Sequence, residues 1–540
     1  MLQLDLATLH EAIAAAVPRR ECLVWRDRRL TWHEVTERTR RLAQVLHAHG
    51  LGVHGRRGDP WTSPHDHLAL YLHNGPEYLE GLLGAHKARV APFNVNYRYV
   101  EDELAHLFGD ARPRAVIYHA RFAASLGRIL DRLDGEVLLL QVADESGADL
   151  LPGALDYEAA LTAASAEPLG VRPSAGDLHI LYTGGTTGMP KGVLWRIGDL
   201  LNGPLGLRRR DGTVITDLGE AVESARTAHH RVLIAPPLMH GTGTWSALGG
   251  WCGGATVVIP DRVDRLDAGD LLSVAAREGA TRLTVVGDAF ARPIADELDS
   301  GAHELSSLRQ ILNSGAAISP GVKRRLTSAL PGTRIVDVLG SSETGLQVSR
   351  RGAADGPFTP APGAVVLSGD RIRTLSPGED EMGWLAKAGA IPLGYLGDPD
   401  RTAATFVSVG GRRLVIAGDR ARLLADGTIE VHGREATTIN TGGEKVFAEE
   451  VENVLRGIEG VCDALVIGRP SERWGQEIVA VVRLSAGRTD DQLRAACATQ
   501  LARYKLPKAF LRTEGDLRLP NGKADYAAAR AVASPGREAS

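Results

Sequence analysis

Leu178-His179-Ile180-Leu181 leads into Tyr182-Thr183-Gly184-Gly185-Thr186-Thr187-Gly188-Met189-Pro190-Lys191-Gly192. The first four residues read as a strand, and the eleven that follow are suited to an anion. Glycines let successive backbone N–H groups converge on one point, threonine hydroxyls add donors, and Lys191 adds a positive charge. A Walker A loop would need G-x-x-x-x-G-K-[ST] at the start of a helix, whereas Pro190 precedes this lysine and Gly192 follows it. That reading is rejected. A flexible surface loop is a poor account of so many specialised residues in succession.

Short apolar runs recur on both sides of this segment, at 68–72, 115–118, 137–142, 231–235, 256–259 and 283–286. Helical stretches separate them. Over 33–49, Val35, Leu42, Val45 and Leu46 recur at helical spacing and Gly50 supplies a stop, which predicts an amphipathic helix. Strands alternating with helices predict a large layered α/β N-terminal domain. Segments 356–363 and 376–380 read as surface loops. After the turn at Asp426-Gly427, the strand-like 428–431 runs into Gly433-Arg434. The division is expected there, with 1–433 as one domain and 434–540 as a second, small α/β domain. In the latter, 448–455 is predicted helical with Val451, Val454 and Leu455 on one face, followed by strands at 464–467 and 478–484.

With 540 residues the chain needs at least two cores. Its 62 lysines and arginines against 66 aspartates and glutamates give a formal charge of -4, which argues against a nucleic-acid partner. Cys22, Cys252, Cys462 and Cys497 form no C-x-x-C pair, so neither a zinc site nor a disulfide framework is expected. No apolar run approaches the roughly 20 residues of a membrane span, and Met1-Leu2-Gln3-Leu4-Asp5 lacks the start of a signal peptide. The expectation is a soluble cytoplasmic protein with no integral membrane segment.

Further specialised segments follow in order: Asn313-Ser314-Gly315-Ala316-Ala317, Gly340-Ser341-Ser342-Glu343-Thr344, Ala417-Gly418-Asp419, Gly433-Arg434, Thr441-Gly442-Gly443-Glu444-Lys445-Val446 and Leu519-Pro520-Asn521-Gly522-Lys523. Glu343 offers the oxygen ligand a hard cation requires, Asp419 a bidentate acceptor for a diol, and Lys523 a cation for charge that develops during group transfer. Together with the Gly/Thr segment, and over nearly the whole chain, these resemble the adenylate-forming superfamily of acyl- and aryl-CoA synthetases, peptide-synthetase adenylation domains and firefly-type luciferases.

The resemblance implies a division of labour. Thr183, Gly184, Gly185, Thr186, Thr187, Gly188 and Lys191 would handle the β- and γ-phosphates of ATP, and Gly315, Ala316 and Ala317 would lie against adenine. Gly340, Ser341 and Ser342 would contact the α-phosphate, Glu343 would bind Mg²⁺, and Asp419 and Arg434 would hold the ribose. Lys523 would serve adenylation. A mobile C-terminal domain would then turn so that Gly442 and Gly443 line the path of the pantetheine arm of coenzyme A. Two positions depart from the family pattern: Leu339 replaces the aromatic residue before Gly340, and Ala436 replaces the hinge Asp or Lys.

The strings 94–99, 182–196 and 439–447 resemble actinobacterial acyl-CoA synthetases, which implies a fatty or steroid-type carboxylic acid as substrate and allows a homodimer. The family's acyl pocket follows Pro236-Pro237-Leu238-Met239-His240-Gly241 and continues through Gly243, Trp245, Gly249, Gly250 and Trp251. Glycines would leave room and tryptophans would wall it, with His240 as a gate near the carboxylate. The absence of an obvious cation there predicts a bulky hydrophobic monoacid. Two alternatives stay open: a ligase that loads a carrier protein, and a non-catalytic adenylate-binding protein on the same fold.

Overall fold

The Gly/Thr segment is mostly β-ladder. In the computed structural model, Leu178–Gly185 and Gly188–Arg196 pair antiparallel, with Tyr182 opposite Gly192, Thr183 opposite Lys191 and Gly185 opposite Gly188. Its composition predicts a loop, but the backbone groups on both sides are satisfied by each other. The structure describes residues 4–533 except positions 57, 131, 134, 186–187, 208–212, 214, 216, 302, 353–355, 435–436, 442–443, 472–474, 486, 502 and 520–521. Thr186, Thr187, Ala436, Gly442 and Gly443 therefore lie outside the described residues.

The described strands form four sheets. This hairpin belongs to an eight-stranded sheet, in which Leu178–Gly185 adjoins Ala91–Asn94, followed by His67–Tyr71, Ala115–His119 and Leu138–Val142. A nine-stranded sheet contains Arg334–Ser341, Gln310–Ser314, Arg282–Val285, Arg231–Ile234, Thr256–Ile259 and Glu21–Trp25 as consecutive parallel neighbours. Parallel strands covered on both faces read as unbroken apolar runs, which is why Thr256–Ile259 was predicted to the residue and is buried throughout. A third sheet ends with Ile429–Arg434 paired to Arg412–Leu423, and the fourth begins at Thr438–Thr441.

Trp32–Ala48 is the expected helix, one residue displaced from the predicted span. Thr31 and Glu34 close a capping box at its start, and Gly50 adopts φ +74 just past its end. Val35, Leu42, Val45 and Leu46 are all buried, worth roughly 1.5–3 kcal/mol each. In the fourth sheet's layer, helix Ala448–Arg456 buries Val451 and Leu455 against the strands Val461–Ser471 and Gly475–Leu484. No helix among the described residues is long and apolar enough to cross a membrane.

The interior carries histidines that folding keeps neutral. Burial pushes His73, His119 and His179 down to about 4, with the neighbouring His119 and Arg121 adding to the effect on His73. Because these folded-state values lie below the unfolded one, the stability they represent is complete above about pH 6.5 and is lost as pH falls towards 4. Each histidine is expected to cost about 2 kcal/mol at pH 5. Urea midpoints at pH 7.5 and pH 5 check this, and an unchanged midpoint would contradict it.

Candidate functional site

At the carboxyl ends of the two large sheets, the chain from Pro236 to His240 is fixed by two buried asparagines. Asn94 Nδ2 donates to Tyr182 O at 2.9 Å and Met239 O at 2.7 Å, and its Oδ1 accepts from Tyr182 N at 2.7 Å. Asn74 Nδ2 donates to Pro236 O at 3.1 Å and its Oδ1 accepts from Leu238 N at 2.6 Å. These bonds tie the strand of Thr183 to the turn of His240. Burial pushes His240 down to about 3, with Lys523 and Arg98 adding to the effect, and its Nε2 has no hydrogen-bond partner among the described residues. The imidazole is neutral.

Lys191 and Glu343 meet 3.1 Å apart, and a residue not singled out from the sequence joins them. Tyr395 Oη donates to Glu343 Oε1 at 2.9 Å and accepts from Lys191 Nζ at 3.1 Å, while the ammonium lies 4.3 Å from the centre of the tyrosine ring. Burial raises the Glu343 pKa, but the Lys191 charge and the two hydrogen bonds outweigh it and hold the carboxyl below the usual range. Tyr395 is placed by Gly394–Tyr395 pairing with Val193 and Leu194, on the strand that carries Lys191. Behind Glu343, Thr344 Oγ1 accepts from Ser341 N at 2.9 Å, and Ser342 O accepts from Trp195 Nε1 at 2.8 Å. Gly340 is required there, since a Cβ would stand 1.9 Å from Gly345 O.

The Gly315-Ala316-Ala317 segment is organised by Asn313, whose Nδ2 donates to Ala316 O at 3.0 Å and Asp337 Oδ1 at 2.9 Å. Asp337 is gripped in turn by the buried Lys323 at 2.7 Å and by Arg350 at 3.1 Å. Leu339 lies beside this segment, and Phe358, with the Arg350 guanidinium 4.6 Å from its ring centre, lines the same space. Asp419 is buried and is the register partner of Arg434. At the far end of the chain, the turn before Lys523 is closed by Gly522 N donating to Leu519 O and Leu519 N to Lys523 O, both at 2.8 Å. A Cβ on Gly522 would stand 3.2 Å from Val286 Cγ1, so this turn docks against the nine-stranded layer.

All these elements border one cavity of about 1440 Å³. Thr183, Lys191, His240, Glu343, Asp419 and Lys523 line it, as do Gly315, Ala316, Ala317, Gly340, Ser341 and Ser342. Gly184, Gly185 and Gly188 belong to the adjoining ladder. Among the described residues no group of three or more histidine, cysteine or acidic side chains could hold a metal by itself.

The helix Gly241–Cys252 borders the same cavity, and here three expectations are corrected. A Cβ on Gly243 would stand 2.4 Å from Pro237 O, so this glycine admits a backbone carbonyl and does not line the space. Trp251 is core: its Nε1 donates to Cys22 O at 3.0 Å and its ring packs against His10 and Trp32. A cation, Arg282, does line this cavity. Trp245, Gly249 and Gly250 line it too. Gly243→Leu is accordingly expected to unfold or strongly destabilise the protein. A Cβ on Gly249 would stand 3.0 Å from Leu205 O, whereas one on Gly250 meets only side-chain atoms at 3.5 Å or more. Gly250→Ala should therefore retain the fold and discriminate against bulky acids, which melting curves and a substrate panel would separate.

Comparison with known proteins agrees with this architecture. The family model described as AMP-binding enzyme matches residues 10–389, and that described as AMP-binding enzyme C-terminal domain matches 450–523. The chain belongs to the AMP-binding enzyme family. It is similar to the medium-chain acyl-CoA ligase Mig of Mycobacterium avium, 48% identical over 538 residues that cover 97% of this chain and 98% of that protein. It is also similar to the 3-oxocholest-4-en-26-oate–CoA ligase of Rhodococcus rhodochrous, 35% identical over 544 residues covering 97% and 95%. The crystal structure of the anthranilate CoA ligase AuaEII with anthranoyl-AMP superposes with a TM-score of 0.81 at 20% identity, covering 99% of this chain and 98% of that one. That likeness is one of fold.

Proposed function

We infer that this protein is an ATP-dependent acyl-CoA synthetase that adenylates a hydrophobic carboxylic acid and transfers the acyl group to coenzyme A. The observation that carries the reading is the convergence of Lys191, Glu343, Asp419 and Lys523, from distant parts of the chain, on one cavity that Val232, Trp245 and Phe290 also line. The ligases of M. avium and R. rhodochrous place medium-chain and steroid-derived acids in the same class of substrate.

In the first step the carboxylate attacks the α-phosphorus of ATP and pyrophosphate leaves. Two anions must approach, so cations are needed on both sides of the transferring group. Lys523 serves the attacking side. Lys191, with Thr183, Thr186, Thr187 and the backbone of Gly184, Gly185 and Gly188, serves the departing phosphates. Ser341 and Ser342 hold the α-phosphate, Gly315 to Ala317 the adenine, and Asp419 with Arg434 the ribose. A magnesium ion is held through few protein oxygens plus substrate phosphates, and the single carboxylate of Glu343 beside the cavity fits that need. Bound there, Mg²⁺ supplies charge neutralisation on the phosphates. Neutral His240 closes the carboxylate end without bringing a competing charge.

The CoA thiolate then attacks the acyl carbonyl of the mixed anhydride, the bond to the phosphate oxygen breaks and AMP leaves. Because that carbonyl is already activated, no protein nucleophile is needed. Division near residues 433–434 would let the C-terminal domain turn, withdrawing Lys523 and bringing Gly442 and Gly443 to the pantetheine path. With ATP and CoA as substrates, the enzyme is assigned to the cytoplasm. Pyrophosphate release measured over a panel of acids, with and without CoA, tests the reading. Release stimulated by CoA, with acyl-CoA as product, is expected. Release that requires a carrier protein, or none with any acid, would overturn it.

A further inference from the structure

The cavity is also lined by a charge that the reaction above does not use, Arg282. Val232 and Arg282 are register partners on adjacent parallel strands, so their side chains leave the same face of the sheet. That face is the one beneath helix Gly241–Cys252, because Val232 Cγ2 lies 3.5 Å from where a Cβ of Gly250 would stand. Gly249, Gly250 and Gly253 give this side of the helix no side chains, and all three line the cavity together with Val232 and Arg282. The helix therefore leaves open the space over Arg282.

Arg282 is half-buried, and its Nε donates to Gln310 Oε1 at 2.9 Å. Among the described residues its two terminal nitrogens have no protein acceptor and no carboxylate pairs with it. Arg231 on the neighbouring strand shows the usual alternative, with Glu21 at 2.6 Å and Glu278 at 2.8 Å. Burial lowers the pKa of Arg282, with no acidic group offsetting it. A guanidinium removed from water and set against an alkyl tail is left without acceptors, which is costly. Arg282 lies level with Val232, four residues before Pro236. At about 3.3 Å per residue that is about 13 Å of strand, comparable to a medium-chain acyl group.

We propose that Arg282 is the specificity-determining donor for the far end of the acyl group. The preferred acid is then a hydrophobic carboxylic acid bearing an oxygen acceptor, whether keto, hydroxyl or second carboxylate, remote from the carboxyl that is activated. This rests on the acyl-CoA synthetase reading. A site built to hydrogen-bond a substrate group discriminates against the analogue lacking it far more strongly than an apolar pocket discriminates by a methylene.

The test compares kcat/KM for four matched acids at each of several medium chain lengths: the plain alkanoic acid, its penultimate-oxo form, its terminal hydroxy form and the α,ω-dicarboxylic acid. At the best-fitting length, one oxygenated acid should exceed the plain acid by about tenfold or more. Which one does so separates a carbonyl or hydroxyl acceptor from a carboxylate. Arg282→Met should abolish the preference while leaving the plain acid within about threefold of its parent value, and Arg282→Lys should retain part of it. A parent enzyme that uses the plain acid at least as well at every length overturns the proposal without recourse to any variant. So does a preference that survives Arg282→Met. If no acid releases pyrophosphate, the synthetase reading fails and this proposal with it, a result distinct from activation without preference.

Discussion

Lys523→Ala is expected to lower the rate of acyl-adenylate formation by on the order of 100-fold or more, while thioester formation from preformed acyl-adenylate and CoA continues near the parent rate. Lys523 lines the cavity with Glu343 and Lys191 and is close enough to His240 to act on its ionisation. On the proposed reading its ammonium serves the step in which carboxylate and α-phosphate meet, and takes no part when the thiolate attacks the acyl carbonyl and AMP leaves. The separation depends on the C-terminal domain leaving after adenylation. Gly522 provides a control that leaves the charge intact. It adopts φ +81, and a side chain there would meet Val286 Cγ1 at 3.2 Å and Val286 O at 3.3 Å. Gly522→Val should therefore undock the turn and slow adenylation selectively, though Lys523 is still present. Gly443→Leu should do the converse, obstructing the pantetheine path and sparing adenylation. Measuring the two half-reactions separately checks all three variants. Equal slowing of both by Lys523→Ala in a folded protein would rule out domain alternation in this chain.

Much of the scaffold was legible because burial on two faces writes itself into composition. The parallel strands Thr256–Ile259 and Ala115–His119 are apolar runs bounded by polar or turn residues, and their positions follow directly. Helix Trp32–Ala48 was legible from periodicity and from the glycine that ends it. The Gly/Thr hairpin was not, because glycine and threonine suit a loop, and only pairing across the ladder reveals that Thr183 faces Lys191. Two glycines of one helix likewise look alike in sequence. Gly243 admits the Pro237 carbonyl, whereas Gly250 borders the cavity with only side-chain neighbours at 3.5 Å or more, a difference set by the contacts of each helix face.

The motif residues stood out in the sequence because each brings a chemical type rare in that setting, and Lys191, Glu343, Asp419 and Lys523 line one cavity. Residues that act through them were not. Tyr395 is a lone tyrosine among turn residues, and it reaches Glu343 only because Gly394–Tyr395 joins the strand of Lys191. Asn94 stands in a string noted for likeness to relatives, yet its bonds to Tyr182 and Met239 depend on the adjacency of two segments far apart in sequence. Arg282 is one charge at the start of an apolar strand. Its place in the cavity follows from strand parity with Val232, which requires the register.

Glu343→Gln is expected to raise the magnesium requirement sharply, with activity at limiting Mg²⁺ falling by on the order of 100-fold and part of the loss recovered when the ion is in excess. A neutral amide is a poor ligand for a hard cation, and among the described residues no acidic cluster stands ready to replace the carboxylate. Tyr395→Phe refines the point. It deletes the hydroxyl between Glu343 and Lys191 but keeps the ring that lies under the ammonium at 4.3 Å and edge-on to Phe406 at 5.8 Å. Glu343 is left paired to Lys191 alone, free to rotate, so the Mg²⁺ requirement should rise by about tenfold with the KM for the carboxylic acid unchanged. Titrating Mg²⁺ by activity and Mn²⁺ by its binding in the presence of a non-hydrolysable ATP analogue distinguishes a lost ligand from a lost fold. A magnesium requirement equal to the parent's in Glu343→Gln would remove this carboxylate from the metal and leave the Lys191–Tyr395–Glu343 cluster as a support for the hairpin.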